Sequence, residues 1–326
     1  MVKSRLSGTL LLIAGIGSTV LPAAAQEAVR RRPPTFLEFL WQPKFITMFI
    51  LAAVVLFLLK SNRMRRSLKV FLLLISTLLY GIIGNIGVAL FDSFSMHPSP
   101  MCAAAKPFLF GLRTPFMVML AVMFALTLIG PKLFCGWICP VGAVQELAAM
   151  AADRLKIKRI RFHFPFSYCV RLGIFLLFLL TGVTGLITMT VQDQVVAVNL
   201  YDYFNPFHGF EFQWVPAFLD NLIHYLPFLL TLILALRFYR PFCHFVCPIG
   251  LYAHFLEQIG LLRVTFKRSA CTDCRVCEKK SPCTAVPEIM KDSLLRPDCF
   301  SCDECVKVCP EQALAYGTQR TLPAQD

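Results

Sequence analysis

The chain has 326 residues, of which 57% are hydrophobic and 16% are charged, and its formal net charge is +13. This composition is too apolar for a soluble globule of this length and predicts a polytopic membrane protein. Lys and Arg are concentrated in particular loops between apolar segments, which is a membrane-topology signal. The positive charge therefore gives no support for nucleic-acid binding.

Residues 1–25 have the features of an export signal. Lys3 and Arg5 form a positive start, residues 10–16 an apolar core, and Ala23–Ala25 an A-x-A-type cleavage site. The alternative is a first membrane helix that is not cleaved, and both interpretations stay open. The membrane domain is then expected to occupy residues 26–262.

Five apolar segments follow, and each approaches the ~20 residues that a membrane-spanning helix needs. Their approximate limits are Phe45–Leu59, Val70–Leu90, Thr114–Ile129, Cys169–Val191 and Leu222–Leu236. The loops after the first, third and fifth segments are basic, whereas residues 192–221 contain four acidic residues and no Lys or Arg. By the positive-inside rule the chain enters from outside and its C-terminal part faces the cytoplasm.

Two short stretches match each other 108 residues apart. Phe134–Gly142 reads FCGWICPVG, and Phe242–Gly250 reads FCHFVCPIG. Each follows a predicted membrane helix at its cytoplasmic end and precedes an amphipathic segment. We therefore predict a parallel internal repeat, in which each copy contains a helical hairpin, a C-x3-C-P turn and a surface helix.

The two turns contribute four cysteines, which we call the turn cysteines: Cys135, Cys139, Cys243 and Cys247. The proline after the second cysteine of each turn suits the first position of a new helix. Four thiols that converge across the repeat axis would form a redox-active or metal-holding site at the inner edge of the membrane. The alternative is a structural turn that tolerates cysteine, and whether the site holds a cluster, another metal or nothing stays open.

Eight further cysteines lie between Cys271 and Cys309. From Cys299 the spacing is C-x2-C-x2-C-x3-C-P, the pattern of bacterial ferredoxins. The earlier half keeps C-x2-C-x2-C, but its fourth cysteine, Cys283, follows after five residues, and Thr284 replaces the usual proline. A zinc ribbon would leave the third cysteine of each run redundant. The spacing predicts two [4Fe–4S] clusters.

On the bacterial pattern each cluster takes three cysteines from one run and the fourth from the other. The first cysteine set is Cys271, Cys274, Cys277 and Cys309, and the second cysteine set is Cys283, Cys299, Cys302 and Cys305. We expect an all-α polytopic membrane protein joined to a small α+β ferredoxin-like domain at residues 263–316. Residues 317–326 are expected to be a disordered tail.

With both turns and the double ferredoxin pattern, the chain resembles the NapH, MauN and NosR group of membrane ferredoxin-type proteins. The resemblance covers roughly residues 70–316 and rests on FCGWICPVGA at Phe134–Ala143, RPFCHFVCPIG at Arg240–Gly250 and the ferredoxin cysteines. It implies an electron-transfer component of the bacterial inner membrane rather than a stand-alone enzyme. Its donors would be the quinone pool or a cytoplasmic ferredoxin or flavodoxin, and its acceptor a periplasmic respiratory enzyme or cytochrome subunit.

A second class of function stays open, an assembly or maturation factor that reduces a metal or thiols for a metalloenzyme. An external loop contains soft ligands that suit copper, Met96, His97, Met101 and Cys102, although methionines beside a membrane also serve simply as apolar residues. His224, near the outer end of the fifth segment, suits either an interfacial position or contact with a quinone. The sequence contains no recognisable catalytic triad, phosphate loop or paired-carboxylate site.

Overall fold

The computed structural model describes most of the chain, in the stretches 35–86, 88, 91–185, 188–191, 194–197, 200–210, 222–293 and 298–318. The predicted export signal and residues 319–326 of the predicted tail lie outside the described residues. Among those described, three helices are long and apolar enough to cross a membrane, Pro43–Lys60, Arg66–Asn85 and Phe164–Thr184.

The membrane part is helical throughout most of its described length. Its helices are α1 Phe36–Leu40, α2 Pro43–Lys60, α3 Arg66–Ser76, α4 Pro100–Phe110, α5 Thr114–Ile129, α6 Pro140–Arg154, α7 Phe164–Thr184, α8 Leu200–Tyr203, α9 Leu222–Ala235, α10 Pro241–Phe245 and α11 Ile249–Leu256. Helix α3 continues as a π-helix over Thr77–Ile82 and a 3-10 turn over Ile83–Asn85, which extends it to spanning length.

All five predicted apolar segments contain a helix, but they differ in length. Helices α5 and α9 have 16 and 14 residues, which is short for a full crossing. The prediction that the fourth segment runs to Val191 is wrong, because α7 ends at Thr184. Gly185 follows in a left-handed conformation (φ 61°), which stops the helix, and β1 (Thr188–Val191) then pairs antiparallel with β2 (Gln194–Ala197).

The C-terminal part is a small α+β unit. Strands β3 (Leu262–Phe266) and β4 (Leu314–Thr318) pair antiparallel, with Leu262 opposite Thr318. Between them lie the short helices α12 (Val276–Lys280), α13 (Val286–Met290) and α14 (Glu304–Lys307). The strand pair brackets both cysteine sets. Strand β4 includes residues 317 and 318, which we assigned to the tail, because both pair with β3.

Close helix packing occurs at the glycines of the second membrane helix. A Cβ on Gly84 would lie 2.6 Å from the backbone nitrogen of Ser95, and one on Gly81 would lie 2.7 Å from the ring of Phe210. The segments that contain Ser95 and Phe210 therefore pack directly on this helix.

Candidate metal centres

The first cysteine set surrounds one small cavity. Its four members, Cys271, Cys274, Cys277 and Cys309, line this cavity together with Phe266, Met290 and Leu314. Burial raises the pKa of Cys277, and the nearby Cys309 and Cys271 raise it further. Cys274 is exposed and Cys271 and Cys309 are half-buried, so this set faces solvent.

The second cysteine set is enclosed. Cys283, Cys299, Cys302 and Cys305 are all between 4% and 6% exposed. Cys283 lies within hydrogen-bonding reach of Cys302, and Cys305 lies within electrostatic range of both Cys302 and Cys299. Despite the wider spacing before it, Cys283 therefore lies beside Cys302. Cys305 is also within range of Cys277, so the two sets are neighbours.

Both cysteine runs share one backbone conformation that fits a cluster. Around the middle cysteine of each run, the residues before and after have positive φ: Asp273 (54°) and Arg275 (54°) in the first, Ser301 (51°) and Asp303 (67°) in the second. Such left-handed non-glycine residues persist where the surroundings demand them, as in ligand clamps. The four thiols of each set suit a [4Fe–4S] cluster, the cofactor that this spacing binds.

Within the stretches that the structure describes, no group of three Cys, His, Asp or Glu side chains is arranged to hold one metal ion.

The turn cysteines converge in the membrane part. Cys135, Cys139, Cys243 and Cys247 are each 7% or 8% exposed, and Cys135 lies within electrostatic range of the other three. Gln145 connects the turns, because its Nε2 donates to Cys243 Sγ at 3.4 Å and its Oε1 accepts from the Phe242 amide at 3.0 Å. The helix after the first turn begins at Pro140 as expected, and the helix after the second begins one residue later, at Ile249.

The first turn packs against the middle of the second candidate spanning helix. Its predicted place at the inner edge of the membrane stays a prediction. Ser76 Oγ donates to the carbonyl oxygen of Ile138 at 2.6 Å, and Ser76 lies near the middle of the 20-residue helix Arg66–Asn85. Lys69, closer to the start of that helix, pairs with Glu146 of α6 at 2.6 Å. Helix α6 therefore runs from the middle of this helix back towards its start, and the turn is enclosed by protein.

Buried basic residues surround the cysteines, and the sequence interpretation missed them. Lys69 and Arg240 were counted as loop charges, yet each is 1% exposed, as is Lys132. Lys132 and Arg240 hold the same position in the two turns, three residues before the first cysteine, and both have positive φ (44° and 48°). That shared position was the signal in the sequence that could have identified them.

The carboxylates that pair with these cations are also buried. Lys132 Nζ lies 2.5 Å and Arg171 Nη2 3.1 Å from Asp298 Oδ1. Burial by itself would raise the pKa of Asp298, but Lys132 and Arg171 outweigh it and hold this pKa well below its usual range. For Glu257, 3.5 Å from Lys132, burial dominates and raises the pKa to about 8.

The loop of residues 298–304, which we call the docking loop, carries part of the second cysteine set into the membrane part. Trp137 Nε1 donates to the Ser301 carbonyl oxygen at 3.1 Å, and Ser301 Oγ donates to the Pro131 carbonyl oxygen at 2.8 Å. Lys69 Nζ donates to Glu304 Oε1 at 2.8 Å. The second cysteine set is therefore attached directly to the first turn.

The candidate copper ligands do not meet in one cavity. Met96 and His97 line a small cavity with Asn85, Ser99 and Asn205, whereas Met101 and Cys102 are buried in the packing of α4 and do not line it. His224 belongs to α9, and its side chain lies outside the described part of the structure.

Fold and cysteine sets together define a helical membrane protein with iron–sulfur-binding cysteine sets. The family described as a 4Fe-4S binding domain matches twice, at residues 112–159 and 221–268. Each match contains one C-x3-C-P turn, and the run from Cys271 to Cys309 lies outside both. The chain is thus similar to the NapH, MauN and NosR group of ferredoxin-type proteins, as its motifs indicated.

Three curated relatives illustrate this likeness. The chain is 28% identical over 201 residues to the ferredoxin-type protein NapH of Haemophilus influenzae. This alignment covers 59% of this chain and 64% of that protein. It is 28% identical over 183 residues to the regulatory protein NosR of Stutzerimonas stutzeri, covering 54% of this chain and 23% of that protein. It is 26% identical over 186 residues to the methylamine utilization ferredoxin-type protein MauN of Methylobacillus flagellatus, and this alignment covers 56% of this chain and 50% of that protein.

The aligned part spans less than two thirds of each of these three relatives. No solved structure matches the chain.

Proposed function

We propose that the protein passes electrons between a donor on the cytoplasmic side, either a soluble carrier or the quinone pool, and a periplasmic respiratory redox enzyme. The observation that carries this proposal is the succession of three cysteine sets. The first faces solvent, the second is enclosed beside it, and the docking loop attaches the second to the turn cysteines inside the helix bundle. When bound, [4Fe–4S] clusters supply one-electron oxidation and reduction.

The residues that would hold these groups are the two ferredoxin-type sets and, for a third centre, the turn cysteines. The protein's own contribution is to bury the second set and the turn cysteines, to surround them with ion pairs and to keep them at fixed separations. Burial, nearby charge and hydrogen bonds to sulfur are the properties through which a protein adjusts the reduction potential of such groups.

The depth of the turn cysteines supports transfer into the membrane. Electron transfer to the outer face needs a redox group within the apolar layer, and the carbonyl oxygen of Ile138, between Cys135 and Cys139, bonds to Ser76 near the middle of a candidate spanning helix. A site at the inner edge would leave that layer without a redox group. This placement is why we favour a redox centre over a purely structural turn.

The donor would approach the exposed cysteine set. Arg275, Lys279 and Lys280 are exposed close to Cys274 and Cys277, and they carry positive charge that suits an acidic carrier such as a flavodoxin or ferredoxin. The basic loops between the apolar segments support an inner-membrane protein whose ferredoxin-like part faces the cytoplasm.

The decisive experiment is iron and sulfide quantification with EPR on the full chain, purified anaerobically in detergent. Two [4Fe–4S] clusters account for about eight irons per chain. We expect an excess over this value, lost in Cys135→Ser and in Cys243→Ser but retained in Cys169→Ser, which changes an exposed cysteine outside all three sets. About eight irons in all four proteins would overturn the third centre, and far fewer than eight would overturn the electron-transfer proposal itself.

A further inference from the structure

The docking loop touches the first turn at one glycine. A Cβ placed on Gly136 would lie 2.3 Å from the carbonyl oxygen of Phe300, a distance that no side chain tolerates. Gly136 directly follows Cys135, and Phe300 directly follows Cys299. The main chain that carries a turn cysteine and the main chain that carries a cysteine of the second set are therefore in direct contact.

The ring of Phe300 is held between the two turns. It is 1% exposed, and the Arg240 guanidinium lies 4.7 Å and the Lys132 ammonium 5.2 Å from its centroid. The His244 ring lies 5.4 Å away, and His244 holds the position in the second turn that Gly136 holds in the first. Phe300 thus meets a glycine of the first turn at its carbonyl oxygen and an imidazole of the second turn at its ring.

The docking loop is also fixed at both ends. Asp298 at its start pairs with Lys132, and Glu304 at its end pairs with Lys69, which also donates to the Cys302 carbonyl oxygen at 3.3 Å. With its ends held by ion pairs, one buried and one partly exposed, the loop can lie against the turn only as closely as residue 136 permits.

We propose that Gly136 is a positioning residue. It lets the Phe300 carbonyl approach the first turn, and this approach sets the separation between the second cysteine set and the turn cysteines, and so the coupling between groups held by the two. This inference rests on the proposed function. It adds that the second cysteine set is the one that faces the turn cysteines, and that the two meet through the contact between Gly136 and Phe300.

The test compares Gly136→Ala with Gly173→Ala in the full chain. Gly173 lies in α7, where an added Cβ meets nothing within 4 Å, so its alanine variant controls for the substitution itself. Overpacking at Gly136 should push the docking loop away and lower hydrogen-exchange protection of residues 298–303 by about tenfold or more. Gly173→Ala should leave this protection unchanged, and unchanged protection in both variants would overturn the proposal.

The second readout is magnetic. EPR of the dithionite-reduced protein should show broadening that arises from coupling between the second set and the turn site, and Gly136→Ala should lose it while keeping all of its iron. Broadening that survives the loss of protection would overturn the proposal and leave the proposed function intact. Iron that does not depend on Cys135 or Cys243 would instead remove the third centre of the proposed function, and with it the coupling.

A milder variant covers the case in which Gly136→Ala does not fold. Trp137→Phe removes the hydrogen bond from Nε1 to the Ser301 carbonyl oxygen and keeps an aromatic ring in the same pocket. We expect a smaller loss of both protection and broadening. If Trp137→Phe kept its full iron content together with wild-type hydrogen-exchange protection and wild-type EPR broadening, the role that we assign to this contact would be contradicted.

Discussion

Arg240 of the second turn pairs with Glu146 of the helix that follows the first turn, at 3.0 Å between Nε and Oε2. The reverse pairing is also present, because Lys132 of the first turn lies 3.5 Å from Glu257, which follows the second. The two turns are thus connected crosswise around the cysteines, by the buried Arg240–Glu146 ion pair and by the buried contact between Lys132 and Glu257. A buried charge is tolerated when such a partner replaces its lost water.

Removing one partner of the crosswise pairs should destabilise the protein strongly. Arg240→Met leaves Glu146 with Lys69 alone and also removes the hydrogen bonds of the guanidinium to the carbonyl oxygens of Cys135 and Gly136. We expect a loss of about 3 kcal/mol in the free energy of unfolding, measured by thermal unfolding in detergent.

The double variant Arg240→Met/Glu146→Met should recover part of that loss, because it leaves fewer unpaired charges in the interior. The control is Lys291→Met, which breaks an exposed pair with Glu288 and should cost less than about 1 kcal/mol. Equal losses in Arg240→Met and Lys291→Met would show that the buried pair does not stabilise the turns.

The two ferredoxin-type sets should respond separately to loss of their distant ligands. Cys309→Ser should alter the EPR signal that ferricyanide oxidises first, because the first set faces solvent. Cys283→Ser should alter the other signal, since Cys283 lies beside Cys302 in the enclosed set. Cys169→Ser should change neither. If both serine variants altered the same signal, the assignment of Cys283 would be wrong.

The free energy of unfolding should decrease as the pH rises, because Glu257 loses its proton. Burial raises the pKa of this carboxyl from 4.5 to about 8, although Lys132 and Arg171 oppose the rise and Asp298 adds to it. Between these pH values the folded protein holds a proton that the unfolded chain releases. Stability therefore decreases across this window by about 1.4 kcal/mol per pH unit.

Glu257→Gln removes this titration and keeps the shape of the side chain. Its free energy of unfolding should therefore decrease less than that of the wild type between pH 6 and pH 8. Glu288→Gln, on an exposed pair, should follow the wild-type curve. Parallel curves for the wild type and Glu257→Gln would contradict the raised pKa.

Reporter fusions should establish the orientation. A green fluorescent protein attached after Asp326 should fluoresce, because the positive-inside rule predicts a cytoplasmic C-terminus from the basic loops. Alkaline phosphatase inserted within residues 192–221, which have no Lys or Arg, should be active and thus periplasmic. A dark fluorescent protein and an inactive phosphatase would show that the topology is the reverse of the predicted one. The donor would then be on the periplasmic side, which contradicts the proposed electron-transfer path.

Much of the candidate site followed from local sequence features. The spacing of Cys299, Cys302 and Cys305 indicates a cluster run because short loops bring such thiols together whatever surrounds them. A long apolar stretch likewise predicts a helix from local sequence alone, and all five segments contain one. The exact end of the fourth failed, because Gly185 stops α7 and the next residues pair as strands.

The sequence by itself predicted three sets of cysteines from their spacing and determined that apolar helices make up the membrane part. Only the tertiary structure decided which helix packs against the first turn and which basic residues are buried, because these depend on partners far along the chain. Lys132 meets Asp298 across 166 residues, and Lys69 meets Glu304 across 235. A lysine beside an apolar segment has the same local pattern whether it faces the cytoplasm or a buried carboxylate, and only the folded chain distinguishes the two.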